Sequence, residues 1–362
     1  MRPTRATIDL SALRHNLSIA RQLAPKSSTM AVVKANAYGH GLLPVARALS
    51  AADALAVACL EEAVEIRQAG IHAPIVLLEG FIDQSELDMA SLYNLQTVIH
   101  HQAQIDILAK SSSTQPLIVW LKLDSRMNRL GFDEESYLQA YQALKNLPQV
   151  KEIRLMTHLA CADEISNDKT SQQLSLFKRL VHDKNELKTV ANSAAVLAWP
   201  ESHYDWVRPG ILLYGCSPLS NRVGADHKLQ PVMTLESRLI AIKSIKKGDS
   251  VGYGAHWVAD KDSYIGIVAI GYGDGYPRHA KNGTPVWING RLAKLAGRVS
   301  MDMIAIDLGS EASDSLGDRV VLWGSELPVE EVARHADTIP YTLLCGVTSR
   351  VSFHCVNEVH SS

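Results

Sequence analysis

Residues 31–41 read AVVKANAYGHG, an apolar run that leads into a lysine and then into a turn with two glycines. The apolar run indicates a buried strand that ends at Lys34. A lysine that emerges from a buried strand loses water, which disfavours its ammonium form and frees the amine as a nucleophile. Such amines form Schiff bases with carbonyl compounds, including pyridoxal phosphate (PLP). For this segment alone, the alternative is a solvated lysine at the mouth of a strand.

Apolar runs of strand length recur through the first 215 residues, mostly separated by segments of helical pattern such as Leu60–Arg67 and Ser171–Val181. The eight runs are Met30–Val33, Leu55–Ala58, Ile75–Leu78, Thr97–Ile99, Leu117–Leu123, Ile153–Met156, Thr189–Ala191 and Trp206–Val207. The runs at Thr97 and Thr189 are weak, so the count of eight depends on them. Alternating strands and helices predict an α/β protein with an N-terminal (β/α)8 barrel of the TIM type.

The pattern changes after Pro231. Apolar and polar residues alternate in Leu235–Ile242, Tyr264–Ile270 and Met303–Leu308, which is typical of half-buried strands. Asn282-Gly283 and Asn289-Gly290 are hairpin-turn signals, and one helix is expected near Pro328–His335. We therefore predict two domains, a barrel over residues 1–225 and a mostly β C-terminal domain over residues 226–362.

Composition excludes several classes of protein. A chain of 362 residues favours two domains, and its formal net charge of -2 gives no reason to expect nucleic acid or an anionic membrane as a partner. Neither an apolar signal segment nor a run long enough to span a bilayer is evident. The five cysteines are scattered and lack metal-ligand spacing, so we predict a reduced cytoplasmic enzyme without a metal.

Polar residues collect where the predicted barrel strands end, which is the rim that carries function in parallel barrels. Besides Lys34, this rim includes Lys122, Asp124, Arg129, His158, Asn192, Ser193, Arg208 and the Gly210–Ile211 backbone. Five strands that deliver an amine, a histidine, a hydroxyl and two arginines to one rim favour an active site over a solvated lysine.

Eight motifs carry a resemblance to the alanine racemase family. They are AVVKANAYGHG (31–41), VWLKLD (119–124), NRLG (128–131), MTHLA (156–160), DWVRPGILLYG (205–215), VGYG (251–254), GYGDGYPR (271–278) and GRVSMDM (297–303). The resemblance covers nearly the whole chain. It implies a PLP enzyme, built of a barrel and a β domain, that interconverts L-alanine and D-alanine.

The resemblance also implies residue roles. Lys34 would hold PLP covalently and serve as the base for D-alanine, with His158 and Asn192 in the cofactor site. The phosphate would be bound by hydroxyl and N–H donors of Tyr38, Ser193, Gly210, Ile211 and Tyr341, although Tyr341 could be a surface tyrosine instead. Arg208 would face the pyridine nitrogen and leave it unprotonated, because a guanidinium is a donor that does not surrender its proton. A weakened electron sink suits a racemase, since the carbanion is then reprotonated before side reactions. A structural salt bridge is the other reading of Arg208.

Racemisation needs a base on each face of Cα, and the resemblance assigns the second face to Tyr253 from another subunit. A phenol is a weak base at neutral pH, so His158 and Arg208 would have to stabilise its phenolate. Without the resemblance, Tyr253 would be a packing residue of the β domain. Arg129 would bind the substrate carboxylate, while Tyr272 and Met301 would close the pocket from the partner chain. These roles imply a homodimer with shared active sites.

Some positions depart from the family pattern. Arg126 and Asn128 replace the usual glycine and histidine before Arg129, Leu159 and Cys161 replace an aromatic residue and an arginine, and Ala194-Ala195 replace glycine-like residues. None removes a catalytic group. Lys122 is the position at which many family members carry a carbamylated lysine.

Three other functions stay open. A racemase of broader amino-acid specificity would share the same motifs, because pocket width cannot be read from them. A decarboxylase of similar architecture is disfavoured, since Arg208 stands where such chemistry needs an acid. A non-catalytic PLP-binding regulator would not need Tyr253, Tyr272 or Met301.

Overall fold

The computed structural model describes residues 2–112, 115–311 and 313–358. Within these ranges, the chain forms a closed barrel of eight parallel strands, an eight-stranded sheet that is mostly antiparallel, and a small two-stranded ribbon. This architecture confirms the predicted fold class. In the described ranges, no helix is long and apolar enough to cross a membrane.

The barrel pairs its strands in chain order and closes between its last and first strands. Its strands are β2 (Ser28–Val32), β3 (Ala54–Val57), β4 (Ile75–Leu77), β5 (Gln96–Ile99), β6 (Leu117–Lys122), β7 (Val150–Met156), β8 (Lys188–Thr189) and β9 (Trp206–Val207). All eight predicted strands are therefore confirmed, including the two weak ones. They were recognisable because strands buried on both faces read as continuous apolar runs.

Helices surround the barrel and connect its strands. They are α1 (Leu10–Leu23), α2 (Lys34–Gly39), α3 (Leu42–Ala48), α4 (Leu60–Gln68), α5 (Gln84–Leu92), α6 (Gln102–Lys110), α7 (Glu134–Lys145), α8 (Lys169–Val181) and α9 (Ser193–Ala198). The Asp9 side chain accepts hydrogen bonds from the N–H groups of Ser11 and Ala12, so it caps α1 as its residue type predicts. The helix α2 is unusual, because four of its residues have left-handed backbone angles.

The second sheet has the strand order β13, β16, β15, β14, β17, β10, β1, β18. Its strands are β1 (Arg5–Asp9), β10 (Met233–Ile245), β13 (Ser263–Val268), β14 (Pro285–Ile288), β15 (Arg291–Leu295), β16 (Ile304–Gly309), β17 (Arg319–Trp323) and β18 (Ser352–Val356). The ribbon pairs β11 (Ser250–Val251) with β12 (Trp257–Val258). Two helices follow β17, namely α10 (Val329–His335), as predicted, and α11 (Pro340–Cys345), which was not predicted.

The two predicted hairpin signals have different outcomes. Asn289 and Gly290 join β14 to β15, with φ values of 44° and 79°, as a tight hairpin turn requires. The hairpin prediction for Asn282-Gly283 is wrong. The described residues 269–284, which lie between β13 and β14, contain no strand that could pair with β14. Asn282 instead donates to the His256 carbonyl at 3.0 Å and accepts from the Gly297 N–H at 2.8 Å.

The first strand belongs to the second sheet. Residues Arg5–Asp9 pair antiparallel with β10 and parallel with β18, so both ends of the chain meet in the sheet of the C-terminal half. The predicted division into residues 1–225 and 226–362 did not include this pairing, and the position of the boundary stays a prediction. A five-residue strand before a helix gave no signal of which sheet it would join.

Candidate active site

A cavity of about 600 Å³ opens at the carboxyl ends of the barrel strands. Eleven of the predicted site residues line it: Lys34, Tyr38, Lys122, Arg129, His158, Asn192, Ser193, Arg208, Gly210, Ile211 and Tyr341. They come from five barrel strand ends and, in the case of Tyr341, from α11. The barrel thus brings together side chains that are more than 300 residues apart in sequence.

The backbone after Lys34 turns in the left-handed sense. Ala35, Asn36, Ala37 and Tyr38 have φ values of 55°, 51°, 53° and 53°. Each such non-glycine residue costs roughly 1–2 kcal/mol, so local contacts must hold the turn. The turn directs the Lys34 and Tyr38 side chains to one cavity.

Three polar contacts stabilise this turn. The Asn36 side chain accepts from the Leu42 N–H at 2.8 Å. The Nδ1 atom of His40 lies 3.1 Å from the Ala37 carbonyl oxygen and 2.9 Å from that of Tyr38. Because carbonyl oxygens only accept, Nδ1 carries the proton. Burial holds the pKa of His40 down at about 4, so its ring is neutral.

One end of the cavity presents hydroxyl groups and backbone N–H groups. The Ser193 hydroxyl oxygen accepts from the N–H of Gly210 at 2.7 Å and from that of Leu212 at 3.3 Å, which leaves its proton available to donate. The hydroxyl of Tyr38 lies so close to Gly210 that a Cβ atom there would collide with it. Burial raises the pKa of both Tyr38 and Tyr341, so both phenols are protonated donors.

Arg208 lines the same cavity and is buried, with neutral hydrogen-bond partners. Its guanidinium donates to the Thr189 hydroxyl at 2.6 Å and to the carbonyls of Thr157 and Val190 at 2.8 and 3.1 Å. It also lies 3.2 Å from Nδ1 of His158. Burial lowers the pKa of Arg208 to about 10, so the group stays charged at neutral pH. Its Nε atom makes no hydrogen bond to the residues that the structure describes.

Four basic side chains share the cavity, namely Lys34, Lys122, Arg129 and Arg208. Within the described ranges, none of them has a carboxylate oxygen within 4.0 Å. Burial, and then repulsion from the other three, lowers the pKa of Lys122 to about 8. The same two causes hold the pKa of His158 well below its usual range. Such a site is set up to receive an anion.

Tyr253, Tyr272 and Met301 do not line this cavity. They lie on the β domain, where their exposed fractions are 68%, 39% and 52%. The loops that carry them touch one another. The Tyr272 N–H donates to the Ser300 carbonyl at 3.0 Å, and Gly252 packs close to Arg298. Tyr272 and Met301 lie on loops of the second sheet and Tyr253 lies between the two strands of the ribbon, so that these adjoining loops form one exposed region of the β domain.

The loop before Arg129 includes the unusual residues Arg126 and Asn128 and is held by the Asp124 carboxylate. Arg126 and Asn128 have φ values of 73° and 57°. The Asp124 carboxylate accepts from the N–H groups of Met127 and Asn128 at 2.9 and 3.0 Å, so Asp124 orders the loop and does not line the cavity. The exposed Arg126 side chain lies 3.4 Å from Glu134.

Sequence reasoning missed four polar residues that line the cavity, namely Glu79, Asp163, Ser217 and Cys345. Glu79 and Asp163 follow barrel strands, so the strand-end rule could have found them. Cys345 lies on α11, for which no sequence signal was recognised. No group of three or more His, Cys, Asp or Glu side chains in the described residues could hold a metal ion.

Comparisons with known proteins agree with this arrangement. The family model described as "Alanine racemase, N-terminal domain" matches residues 8–218, and "Alanine racemase, C-terminal domain" matches residues 232–355. The alanine racemase of Shewanella woodyi is 54% identical over 349 residues, which cover 96% of this chain and 98% of that protein.

Solved structures of alanine racemases have the same fold. The biosynthetic alanine racemase from Pseudomonas aeruginosa has a TM-score of 0.96 at 48% identity, covering 99% of this chain and 100% of that one. The alanine racemase from Acinetobacter baumannii has a TM-score of 0.95 at 42% identity, covering 98% and 100%. The overall fold is thus common to these proteins, and the chain belongs to the alanine racemase family.

Proposed function

We propose that this protein interconverts L-alanine and D-alanine with PLP as its cofactor. One observation carries the proposal. Four basic side chains without carboxylate partners converge on one barrel cavity with a set of neutral hydroxyl and N–H donors, as a phosphorylated cofactor and a carboxylate substrate together require. Membership of the alanine racemase family supports the same reaction.

The donor set fits a phosphate group. Tyr38, Ser193 and Tyr341 offer hydroxyl protons, and the Gly210–Ile211 backbone lies beside them. The absence of a side chain at Gly210 lets the Tyr38 hydroxyl approach the backbone. When bound, PLP supplies an aldehyde that can join the amine of Lys34 or of the substrate, and a ring that stabilises negative charge at Cα.

Arg208 is proposed to face the ring nitrogen of the cofactor. Its Nε atom is free to donate, while its other nitrogens are held by Thr189, Thr157 and Val190. These neutral partners do not offer a proton for the ring, and the guanidinium keeps its own. We therefore expect a weak electron sink, which favours racemisation over transamination or decarboxylation.

Two bases are proposed, one on each face of the substrate Cα. Lys34 lies inside the cavity and would exchange the proton of D-alanine. Tyr253 of a second copy of the chain would exchange the proton of L-alanine. The large exposed fraction of Tyr253, together with its position outside its own cavity, supports a role in another subunit. His158 and Arg208 would stabilise the phenolate there.

Arg129 is proposed to bind the alanine carboxylate, and Lys122 to carry a carbamate. A pKa of about 8 leaves part of the Lys122 amine neutral at physiological pH. A neutral amine adds to CO2, forming an N–C bond and releasing one proton, and the product is an anion. That anion would relieve the repulsion among Lys122, Arg129 and Arg208 and would orient Arg129.

We further propose a homodimer in which Tyr272 and Met301 close the cavity of the other copy. Both side chains are substantially exposed on the region that also carries Tyr253. A cytoplasmic location is proposed from the cysteines, which are all free in the structure.

The decisive experiment measures D-alanine formed from L-alanine by the purified protein, using a chiral separation. Borohydride reduction of the PLP-loaded protein should fix the cofactor on Lys34, as peptide mapping would show. Lys34→Arg keeps the charge but should abolish both the trapping and the turnover. Turnover of many amino acids at similar rates would indicate a broad-specificity racemase. Bound PLP without any turnover would indicate a regulator and refute the proposal.

A further inference from the structure

A cluster of two arginines and two aspartates lies at the base of the region that carries Tyr272 and Met301. Asp274 is completely buried, although it is an acid on a loop of the β domain. Arg2 Nη2 lies 2.6 Å from one of its oxygens, and the Gly271 N–H donates to that same oxygen at 2.9 Å. Arg350 Nε lies 3.5 Å from the other oxygen.

Both arginines also contact Asp302. Arg2 donates to the Asp302 backbone carbonyl at 2.7 Å, and Arg350 donates to its carboxylate at 2.5 Å. The guanidinium of Arg350 lies against Gly273, where a Cβ atom would collide with it. Each arginine thus joins the loop around Asp274 to the loop around Asp302.

These two loops hold the residues proposed to enter the other subunit. Tyr272 lies two residues before Asp274, and Met301 directly precedes Asp302. Backbone hydrogen bonds fasten the loops together, from Tyr272 N–H to the Ser300 carbonyl at 3.0 Å and from Gly273 N–H to the Met301 carbonyl at 2.9 Å. A shift of either arginine would therefore displace both loop tips.

The fold explains why distant arginines meet here. Strand β1 pairs in parallel with β18, and Arg5 is in register with Ser352. Arg2 and Arg350 precede these strands by a few residues, so the pairing sets them side by side although they are 348 residues apart. The strand β1, which lies outside the barrel, thus places Arg2 beside Arg350.

We propose that Arg2 and Arg350 are positioning residues, which act through Asp274 and Asp302 to hold Tyr272 and Met301 where a second copy binds its substrate. The inference rests on the shared sites proposed above. Neither arginine would touch the reacting atoms. Planar guanidinium groups suit this task, because each can hold an acid on one loop and an acceptor on another at fixed angles.

The first test compares Arg2→Ala with Arg5→Ala. Arg5 is a matched control, since it also pairs with a buried acid, Glu236, at 2.5 Å, but does not contact the two loops. We expect Arg2→Ala to raise KM for L-alanine about ten-fold, because misplaced loops would lose about one well-held contact to the substrate. The value of kcat should be nearly unchanged. Arg2→Lys should restore only part of the binding, because an ammonium group cannot bridge as a planar fork does.

Two readouts separate positioning from general stability. Amide hydrogen exchange should rise within residues 271–275 and 300–303 in Arg2→Ala but not in Arg5→Ala. In a Met301→Ala/Tyr272→Ala background, Arg2→Ala should change KM no further, because its effect passes through those side chains. An additive increase in KM, or unchanged exchange in both loops, would overturn the proposal.

Mixed dimers test whether the effect crosses between subunits. Lys34→Ala leaves only one working cavity in a dimer with a Lys34-containing chain. If the Lys34→Ala chain also carries Arg2→Ala and the other chain is intact, KM should rise. If Arg2→Ala is instead on the chain with Lys34, KM should be normal. The reverse pattern would contradict the proposal, whereas a protein that stays monomeric during turnover would refute the shared site itself.

Discussion

Arg208 is a buried cation surrounded by groups that cannot neutralise it. Buried charges in proteins are usually paired with an opposite charge, because desolvation is expensive. The partners here are a hydroxyl, two carbonyls and an imidazole. An acid beside Arg208 would compete with the cofactor for its donors and could protonate the ring. Within the described residues Arg208 has no ion pair, which supports a role toward a ligand.

Replacing Arg208 tests its control of reaction specificity. Arg208→Glu should slow racemisation by about two orders of magnitude, since the site loses a preorganised donor. A carboxylic acid beside the ring nitrogen should strengthen the electron sink, so pyruvate formed per racemisation event should rise. Both quantities can be measured in one reaction with L-alanine. Arg208→Lys, which keeps the charge, should leave the pyruvate ratio low, and an unchanged ratio in Arg208→Glu would contradict the electronic role.

The buried ammonium group of Lys122 should lower the free energy of unfolding at neutral pH. Its pKa is lowered from 10.5 to about 8, so the folded chain binds this proton less tightly than the unfolded chain does. The resulting loss of stability is complete below about pH 8 and disappears as the pH rises to 10.5. In bicarbonate-free buffer at pH 7, Lys122→Met should raise the free energy of unfolding by up to about 3 kcal/mol, at about 1.4 kcal/mol per pKa unit.

Bicarbonate provides the matching control for Lys122. A carbamate on the amine would offset the repulsion, so adding bicarbonate should stabilise the wild-type protein and leave Lys122→Met unaffected. Intact-protein mass and denaturation curves, both measured with and without bicarbonate, check this expectation. Equal stabilisation of the two proteins would argue against carbamylation.

Among the secondary-structure elements, the left-handed turn at Ala35–Tyr38 is the least expected part of the barrel. Alanine is a good residue for right-handed helices and gives no sign of the opposite hand. His40 and Asn36 satisfy backbone groups that the turn leaves without partners. His40 also packs its ring 4.7 Å from that of Tyr214, which in turn lies 4.6 Å from Tyr38. His40 thus supports both the backbone and, through Tyr214, the ring of Tyr38, which is a proposed phosphate donor.

His40→Phe keeps a ring in this place but removes its hydrogen-bond donor. The unsatisfied carbonyls should lower the free energy of unfolding by about 1–3 kcal/mol and weaken PLP binding. His335→Phe is the control, since His335 makes a similar ring-to-carbonyl contact on the exposed face of α10. Calorimetry and PLP titration of the cofactor-free proteins would measure both effects. Equal losses in the two variants would contradict a special role for His40.

The pH dependence of the same variant has a definite sign. The pKa of His40 is lowered from 6.5 to about 4. The stability that the neutral ring contributes is therefore fully present above pH 6.5 and is lost as the pH falls toward 4. Wild-type stability should therefore decline more steeply in this window than that of His40→Phe.

The elements differ in how far sequence could predict them. The eight barrel strands were predictable, because burial on both faces produces short continuous apolar runs. The helix α11 was missed, since six residues are too few for a clear periodic pattern. Asn282-Gly283 looked like a hairpin, but the Asn282 side chain links two loops instead. Local signals describe local geometry, and the partner of each segment depends on tertiary contacts.

At the scale of the whole molecule, the proposed machinery is divided between two places. The barrel cavity holds Lys34 and the hydroxyl and N–H donors, whereas Tyr253 lies outside it, between the two strands of the ribbon. The strand-end rule predicted the residues of the barrel rim from the sequence alone. It gave no indication of the role proposed for Tyr253, which came only from the family resemblance, because the proposed role lies in a second copy of the chain.

A head-to-tail pair of chains would complete both sites at once. Each β domain would then cover the barrel mouth of the other copy, and the exposed Tyr253, Tyr272 and Met301 side chains would become buried. Closure of this kind also excludes water from a reactive site. Two-fold symmetry requires that both contacts form together, so that neither site works in an isolated chain.

Mixing two inactive variants tests this arrangement. Lys34→Ala removes a base from the barrel, and Tyr253→Phe removes the other base from the β domain. A mixed dimer has one site with both lesions and one site with neither. Random exchange makes about half of the dimers mixed, and each has one of two sites intact, so activity should recover to about a quarter of the wild-type value. Differently tagged chains would verify the exchange. If verified mixed dimers stay inactive, both bases belong to one chain, and the shared site is refuted.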